Sequence, residues 1–239
     1  MVLSALYAGL CLVLFCVQRS FLYFPSHDNP TGALTAWIED GQTIGYCREV
    51  AQPRMVWLMM HGNGGQASDR EYVLPHMSPR DSLYVVEYPG YGARSGVPCR
   101  ESFNRAASEA YSRLAGKYPT IPLGVIGESI GSGPASTLAA AERAPDKIVL
   151  VVPFNRLADV AARQFFFVPV RLLFLDRWDN TKALSTYRGR VEIFAAERDT
   201  VIPPFHAANL ARACPQAKLL MIPGGHNDWS RNTQVKIEP

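Results

Sequence analysis

The chain has 239 residues, the length of one α/β domain, and its 48% hydrophobic and 19% charged residues argue against disorder. With 24 basic against 21 acidic side chains and no basic patch, it carries no footprint of nucleic-acid binding. The five cysteines (Cys11, Cys16, Cys47, Cys99 and Cys214) are odd in number and include no Cys-x-x-Cys pair, which argues against a disulfide framework or a zinc site.

The first element is an uncharged, almost wholly apolar run, residues 2–17, followed by Gln18, Arg19 and the patch Phe21-Leu22-Tyr23-Phe24. A bilayer span needs roughly 20 residues. With Arg19 snorkelling to the headgroups and the aromatics at the interface, the segment reaches that length. The alternatives are a cleaved signal peptide and a buried helix. A cleaved signal wants a basic start and small residues before the cut, and neither is present. The expectation is a single-pass, uncleaved membrane anchor over residues 1–24 ahead of a domain at 25–239. The side of the membrane stays open, because Arg19 is the only basic side chain nearby for the positive-inside rule to count.

After a polar stretch beyond Pro25, residues 43–50 alternate loosely as an early strand. Six short apolar runs follow, at 55–60, 82–86, 123–126, 147–152, 191–196 and 217–222, and each leads into turn residues. Between them, residues 102–117 space Phe103, Ala106, Ala107, Ala110, Tyr111 and Leu114 at helical intervals. Residues 130–143 are rich in alanine, and 205–213 follow a Pro-Pro start that suits a helix N-terminus. Unalternated strands interleaved with helices predict an α/β fold, a mostly parallel sheet with helices on both faces. In such sheets, ligands bind beyond the carboxyl ends of the strands.

The candidate chemistry sits at those ends. Gly127-Glu128-Ser129-Ile130-Gly131 is a Gly-x-Ser-x-Gly elbow between an apolar strand and an Ala-rich helix, which marks Ser129 as a nucleophile. A serine hydroxyl needs a base, and His226 follows the last strand in a Gly-Gly-His loop. His27 and His76 are expected at the surface, His206 in a structural role and His61 as a loop brace. Asp199 follows the 191–196 run directly and is expected to orient His226; Glu197, Asp176, Asp179 and Asp228 are less well placed. The segment His61-Gly62-Asn63-Gly64-Gly65 is placed to supply one oxyanion amide, that of Asn63, with the Ile130 amide as the other. No phosphate loop or metal-ligand spacing occurs, so no cofactor is expected.

These motifs resemble the α/β-hydrolase superfamily over about residues 43–228. More narrowly, the chain is similar to the single-pass membrane-anchored serine hydrolases related to the α/β-hydrolase-domain depalmitoylases. Four features carry the likeness: the anchor followed by Phe21-Leu-Tyr-Phe-Pro25, the His61-Gly-Asn-Gly64 segment, Tyr88-Pro-Gly-Tyr-Gly-Ala-Arg-Ser-Gly96, and Pro169-Val-Arg-Leu-Leu-Phe-Leu-Asp-Arg177. The resemblance implies hydrolysis of an ester, thioester or amide. Residues 155–180 form the natural cap, and Phe165-Phe166-Phe167, Leu172-Leu173-Phe174 and Trp178 within it favour an acyl-chain or aromatic small-molecule substrate unless they only pack the cap to the body. Such domains close with a full helix after the histidine; residues 227–239 are few and polar, so one sheet face is expected to be less covered. Two readings from other classes share these residues: an acyltransferase using the same acyl-enzyme, and a non-catalytic membrane-attached binding module, against which the intact Ser129, Asp199 and His226 count.

Overall fold

Asp40 and Gly41 both take positive φ, 50° and 75°, and so turn the chain back on itself in a tight hairpin. The hairpin joins β1 (Thr35–Glu39) to β2 (Gln42–Arg48). The computed structural model describes residues 1–30 and 32–239. β3 (Val56–Met60), β4 (Ser82–Val86), β5 (Leu123–Glu128) and β6 (Lys147–Val151) are buried at every position, the burial expected of strands covered on both faces. With β7 (Arg190–Ala196) and β8 (Ala217–Ile222) they form one sheet in the order β1-β2-β4-β3-β5-β6-β7-β8. β2 runs antiparallel to both its neighbours; every pair from β4 onward is parallel.

Parallel neighbours require crossovers. α1 (Val2–Leu22) precedes the sheet, and α2 (Arg100–Lys117) joins β4 to β5. α3 (Ser132–Thr137) follows β5 and is shorter than the alanine content of residues 130–143 suggests; 3-10 turns flank it, and Gly131, Gly133 and Pro134 are poor helix-interior residues. α4 (Leu157–Gln164) and α5 (Val170–Leu173) lie in an excursion that opens and closes at an antiparallel bridge between Arg156 and Asp179. α6 (Asn180–Leu184) leads back to β7, and α7 (Phe205–Ala213) spans the residues that the Pro-Pro start predicts.

The sheet separates two cores. On one face, Val56, Leu58, Leu150 and Ile193 pack against Phe103, Ala107 and Leu210 of α2 and α7. On the other, Trp57, Met59, Val149 and Phe194 meet Val73 from a 3-10 segment, Ala67–His76, together with Trp229, Val235 and Ile237. The expectation of a poorly covered face is therefore corrected. The closing segment runs as a strap instead of a helix: Ile237 N donates to His76 O at 2.7 Å, and Lys147 Nζ donates to Glu238 O at 2.8 Å. Burial of side chains such as Val235 and Ile237 contributes about 1.5–3 kcal/mol each. The strap also explains why His76 is buried and not at the surface: its ring bonds Ser230 O at 2.8 Å and Val235 O at 3.2 Å.

Candidate active site

β5 ends at Glu128, and Ser129 turns sharply into α3 with φ of +50°, the left-handed region that non-glycine residues enter at a cost of about 1–3 kcal/mol. The two flanking glycines make that turn possible. A Cβ at Gly127 would stand 2.6 Å from that of Ala135, and one at Gly131 would overlap Met60 O. The strain points the Ser129 hydroxyl out of the carboxyl edge of the sheet.

Two loops after β7 and β8 meet it there. His226 Nε2 lies 2.9 Å from Ser129 Oγ, and His226 Nδ1 lies 2.6 Å from Asp199 Oδ2. The other Asp199 oxygen accepts from Val201 N and Ile202 N at 2.9 and 2.8 Å, so the carboxylate is fixed from behind. This network puts the imidazole proton on Nδ1 and leaves the Nε2 lone pair facing the serine hydroxyl. Glu197 is exposed, and the other competing acids are engaged elsewhere. Asp176 is buried against Arg19 and Arg100 N, Asp179 caps α6, and Asp228 braces the histidine loop through Gly225 N at 2.7 Å.

The remaining histidines lie apart from Ser129. His61 is fully buried, its ring 4.4 Å from that of Tyr88 and tilted 39° to it, and burial lowers its pKa. His206 bonds Asn155 Oδ1 at 2.6 Å, and burial lowers its pKa as well. His27 is exposed and bonds Gly92 O at 2.7 Å.

Asn63 and Ile130 border the space in front of Ser129. Among the described residues, the Asn63 amide takes no acceptor within the protein, while its side chain is fully engaged: Oδ1 accepts from Phe24 N, Gly64 N and Tyr91 Oη, and Nδ2 donates to Leu22 O. Ile130 stands in the first turn after the elbow, where amides have no partner within the helix.

One participant was not singled out in the sequence. Glu128 is 8% exposed and accepts three hydrogen bonds: Oε2 from Gly62 N (2.9 Å) and Tyr72 Oη (2.8 Å), Oε1 from Trp229 Nε1 (2.9 Å). It thus joins the Asn63 loop, the elbow and the loop after His226. The available signal was a carboxylate inside an otherwise apolar strand end, since buried charges need partners.

A cavity of about 390 Å³ opens in front of Ser129 and His226, within the size range of ligand pockets. Ile202, Leu157, Phe165, Leu173 and the α1 side chains Phe15 and Phe21 give it mainly apolar walls. Among the described residues, no group of three His, Cys, Asp or Glu is placed to hold a metal ion.

No family model matches the chain. An uncharacterized protein of Mycobacterium tuberculosis is 27% identical over 239 residues, covering 92% of this chain and 84% of that protein. Human α/β-hydrolase domain-containing protein 17B is 29% identical over 178 residues, covering 72% of this chain and 60% of that one. The mouse lysophosphatidylserine lipase ABHD12 is 25% identical over 198 residues, covering 74% of this chain and 48% of that lipase. A Pyrococcus furiosus esterase of known structure superposes with a TM-score of 0.63 at 12% identity, covering 87% of this chain and 94% of the esterase.

The chain has the α/β-hydrolase fold. In an α/β-hydrolase the nucleophile, acid and base follow in the order Ser, Asp or Glu, His. Here Ser129, Asp199 and His226 stand in that order and in one hydrogen-bonded line. The 155–180 excursion lies over the strand ends, where its Leu157, Phe165 and Leu173 face the same cavity as Ser129.

Proposed function

We propose that this α/β-hydrolase is a serine hydrolase that cleaves an ester or thioester, with amides as a variant of the same chemistry. The observation that carries it is the Ser129–His226–Asp199 line at the floor of an apolar cavity. Ser129 Oγ attacks the acyl carbonyl carbon as its proton passes to His226 Nε2; Asp199 holds the imidazole tautomer and stabilises the imidazolium. The tetrahedral oxyanion rests on the Asn63 and Ile130 amides, each worth roughly 10²–10³ in turnover where such donors have been removed. Collapse breaks the bond to the leaving alcohol or thiol, which takes the proton from His226. Water then attacks the acyl-enzyme with His226 again as base, releasing the carboxylic acid and restoring Ser129.

A related lipase and a structurally similar esterase support the ester reading. α1 is long and apolar enough to cross a membrane by length and composition, and in this reading it is a retained N-terminal anchor. The test is labelling of the full chain by a fluorophosphonate beside Ser129→Ala. Labelling should vanish in the variant, and a folded wild type that does not label would refute the proposal.

A further inference from the structure

Leu14, Phe15, Gln18, Phe21 and Leu22 fall on one face of α1, and all five line the cavity in front of Ser129. That face is docked by specific polar contacts. Gln18 Nε2 donates to Leu173 O at 3.2 Å while its Oε1 accepts from Leu175 N at 2.8 Å. Arg19 pairs at 3.0 Å with the buried carboxylate of Asp176, which also accepts from Arg100 N at the start of α2 at 2.9 Å. Phe21 meets Phe165 edge-on at 6.2 Å. Below the helix, the Asn63 side chain bonds both Leu22 O and Phe24 N, so the residue assigned an oxyanion amide is tied to the end of α1.

A plain tether would need none of this, and the docking shortens what is left to cross a bilayer. Tyr7 Oη also donates to Phe167 O at 3.0 Å, so residues 2–6 extend past the last contact with the cap, about 8 Å at 1.5 Å per residue, against a hydrocarbon core of about 30 Å. Apolar surface beside the helix makes up the difference. Phe166 and Leu172 of the cap are 83% and 77% exposed, and the exposed Arg163, Arg171 and Arg177 flank them. Apolar side chains rimmed by cations suit the boundary between acyl chains and anionic headgroups. Gln18 and Gln164 are the polar side chains that α1 and the cap give to the lining, and its one carboxylate, Glu128, stands beside Ser129 and is held by Gly62 N, Tyr72 Oη and Trp229 Nε1.

We propose that α1 is a wall of the acyl-binding site as well as an anchor. The site takes the fatty acyl chain of a membrane-borne ester or thioester, which enters from the bilayer between α1 and the cap. This rests on the serine-hydrolase reading of Ser129.

The experiment measures kcat/KM of the full-length protein, in mixed micelles of a neutral detergent, on p-nitrophenyl esters from acetyl to hexadecanoyl. Wild type should gain about fourfold per methylene until the cavity is filled and then level off. Leu14→Trp narrows the far end and Leu22→Trp the end near Ser129. Both should move the plateau to shorter chains, Leu22→Trp the further. Loss of two methylenes of binding lowers the dodecanoyl-to-acetyl ratio about sixteenfold. The ratio is internal to each sample, and fluorophosphonate labelling counts the folded sites. Variant profiles that superimpose on wild type, with labelling intact, would overturn the wall. A wild type that neither labels nor hydrolyses any ester would overturn the hydrolase reading and this inference with it.

Discussion

Replacing Glu128 by glutamine tests how the site is held together. The glutamine oxygen takes the place of Oε2 and keeps the bonds from Gly62 N and Tyr72 Oη. Its amide group then faces Trp229 Nε1, a donor that loses its acceptor in a buried position. Stranding one buried donor costs about 1–3 kcal/mol, and at this chain length about 2–4 °C of Tm per kcal/mol. A fall of about 2–12 °C in thermal unfolding is the expected result. Trp229 closes the loop that carries His226, and Gly62 precedes Asn63, so kcat on an activated ester should fall about tenfold or more while KM holds. Glu128→Ala strands all three neutral donors, at about 1–3 kcal/mol each, and should cost more than Glu128→Gln. Wild-type Tm and wild-type kcat in Glu128→Gln would refute the reasoning.

Asp199→Asn should leave the fold in place and lower kcat about 10⁴-fold through the wrong imidazole tautomer, read by ester turnover beside circular dichroism. Burial lowers the pKa of His61 and His206. The unfolded chain therefore binds protons on them at a higher pH than the folded one: stability is complete above about pH 6.5 and falls as pH drops through that value, by up to about 1.4 kcal/mol per site per pH unit. Urea unfolding at pH 7.5 and 5.5 should show a smaller loss for His61→Gln than for wild type; equal losses would contradict the assignment. Ile237→Ala removes buried strap volume and should cost about 2–5 kcal/mol in urea unfolding, with ester kcat preserved.

The sheet was legible because its central strands are buried on both faces and so read as unbroken apolar runs ending in turns. Ser129, Asp199 and His226 were legible as candidates because each follows such a run directly. The features missed depend on partners far apart in the chain. Nothing near Glu128 indicates that Tyr72 and Trp229 converge on it, and nothing near Ile237 indicates the carbonyl of His76. β1 is different: the Asp40-Gly41 pair between Ile38 and Ile44 is a local hairpin signal and was available to be read. α1 was readable as an apolar helix, but its docked face depends on the cap folding back over it, which composition alone does not encode.

The central claim is that Ser129 is activated for attack. Treating the full-length protein with a fluorophosphonate and locating the adduct by mass spectrometry of the digested chain tests it most directly. The account predicts a single adduct on the peptide bearing Ser129, absent in Ser129→Ala and sharply slowed in His226→Ala. An adduct on another residue, or a folded protein that takes none, would contradict it.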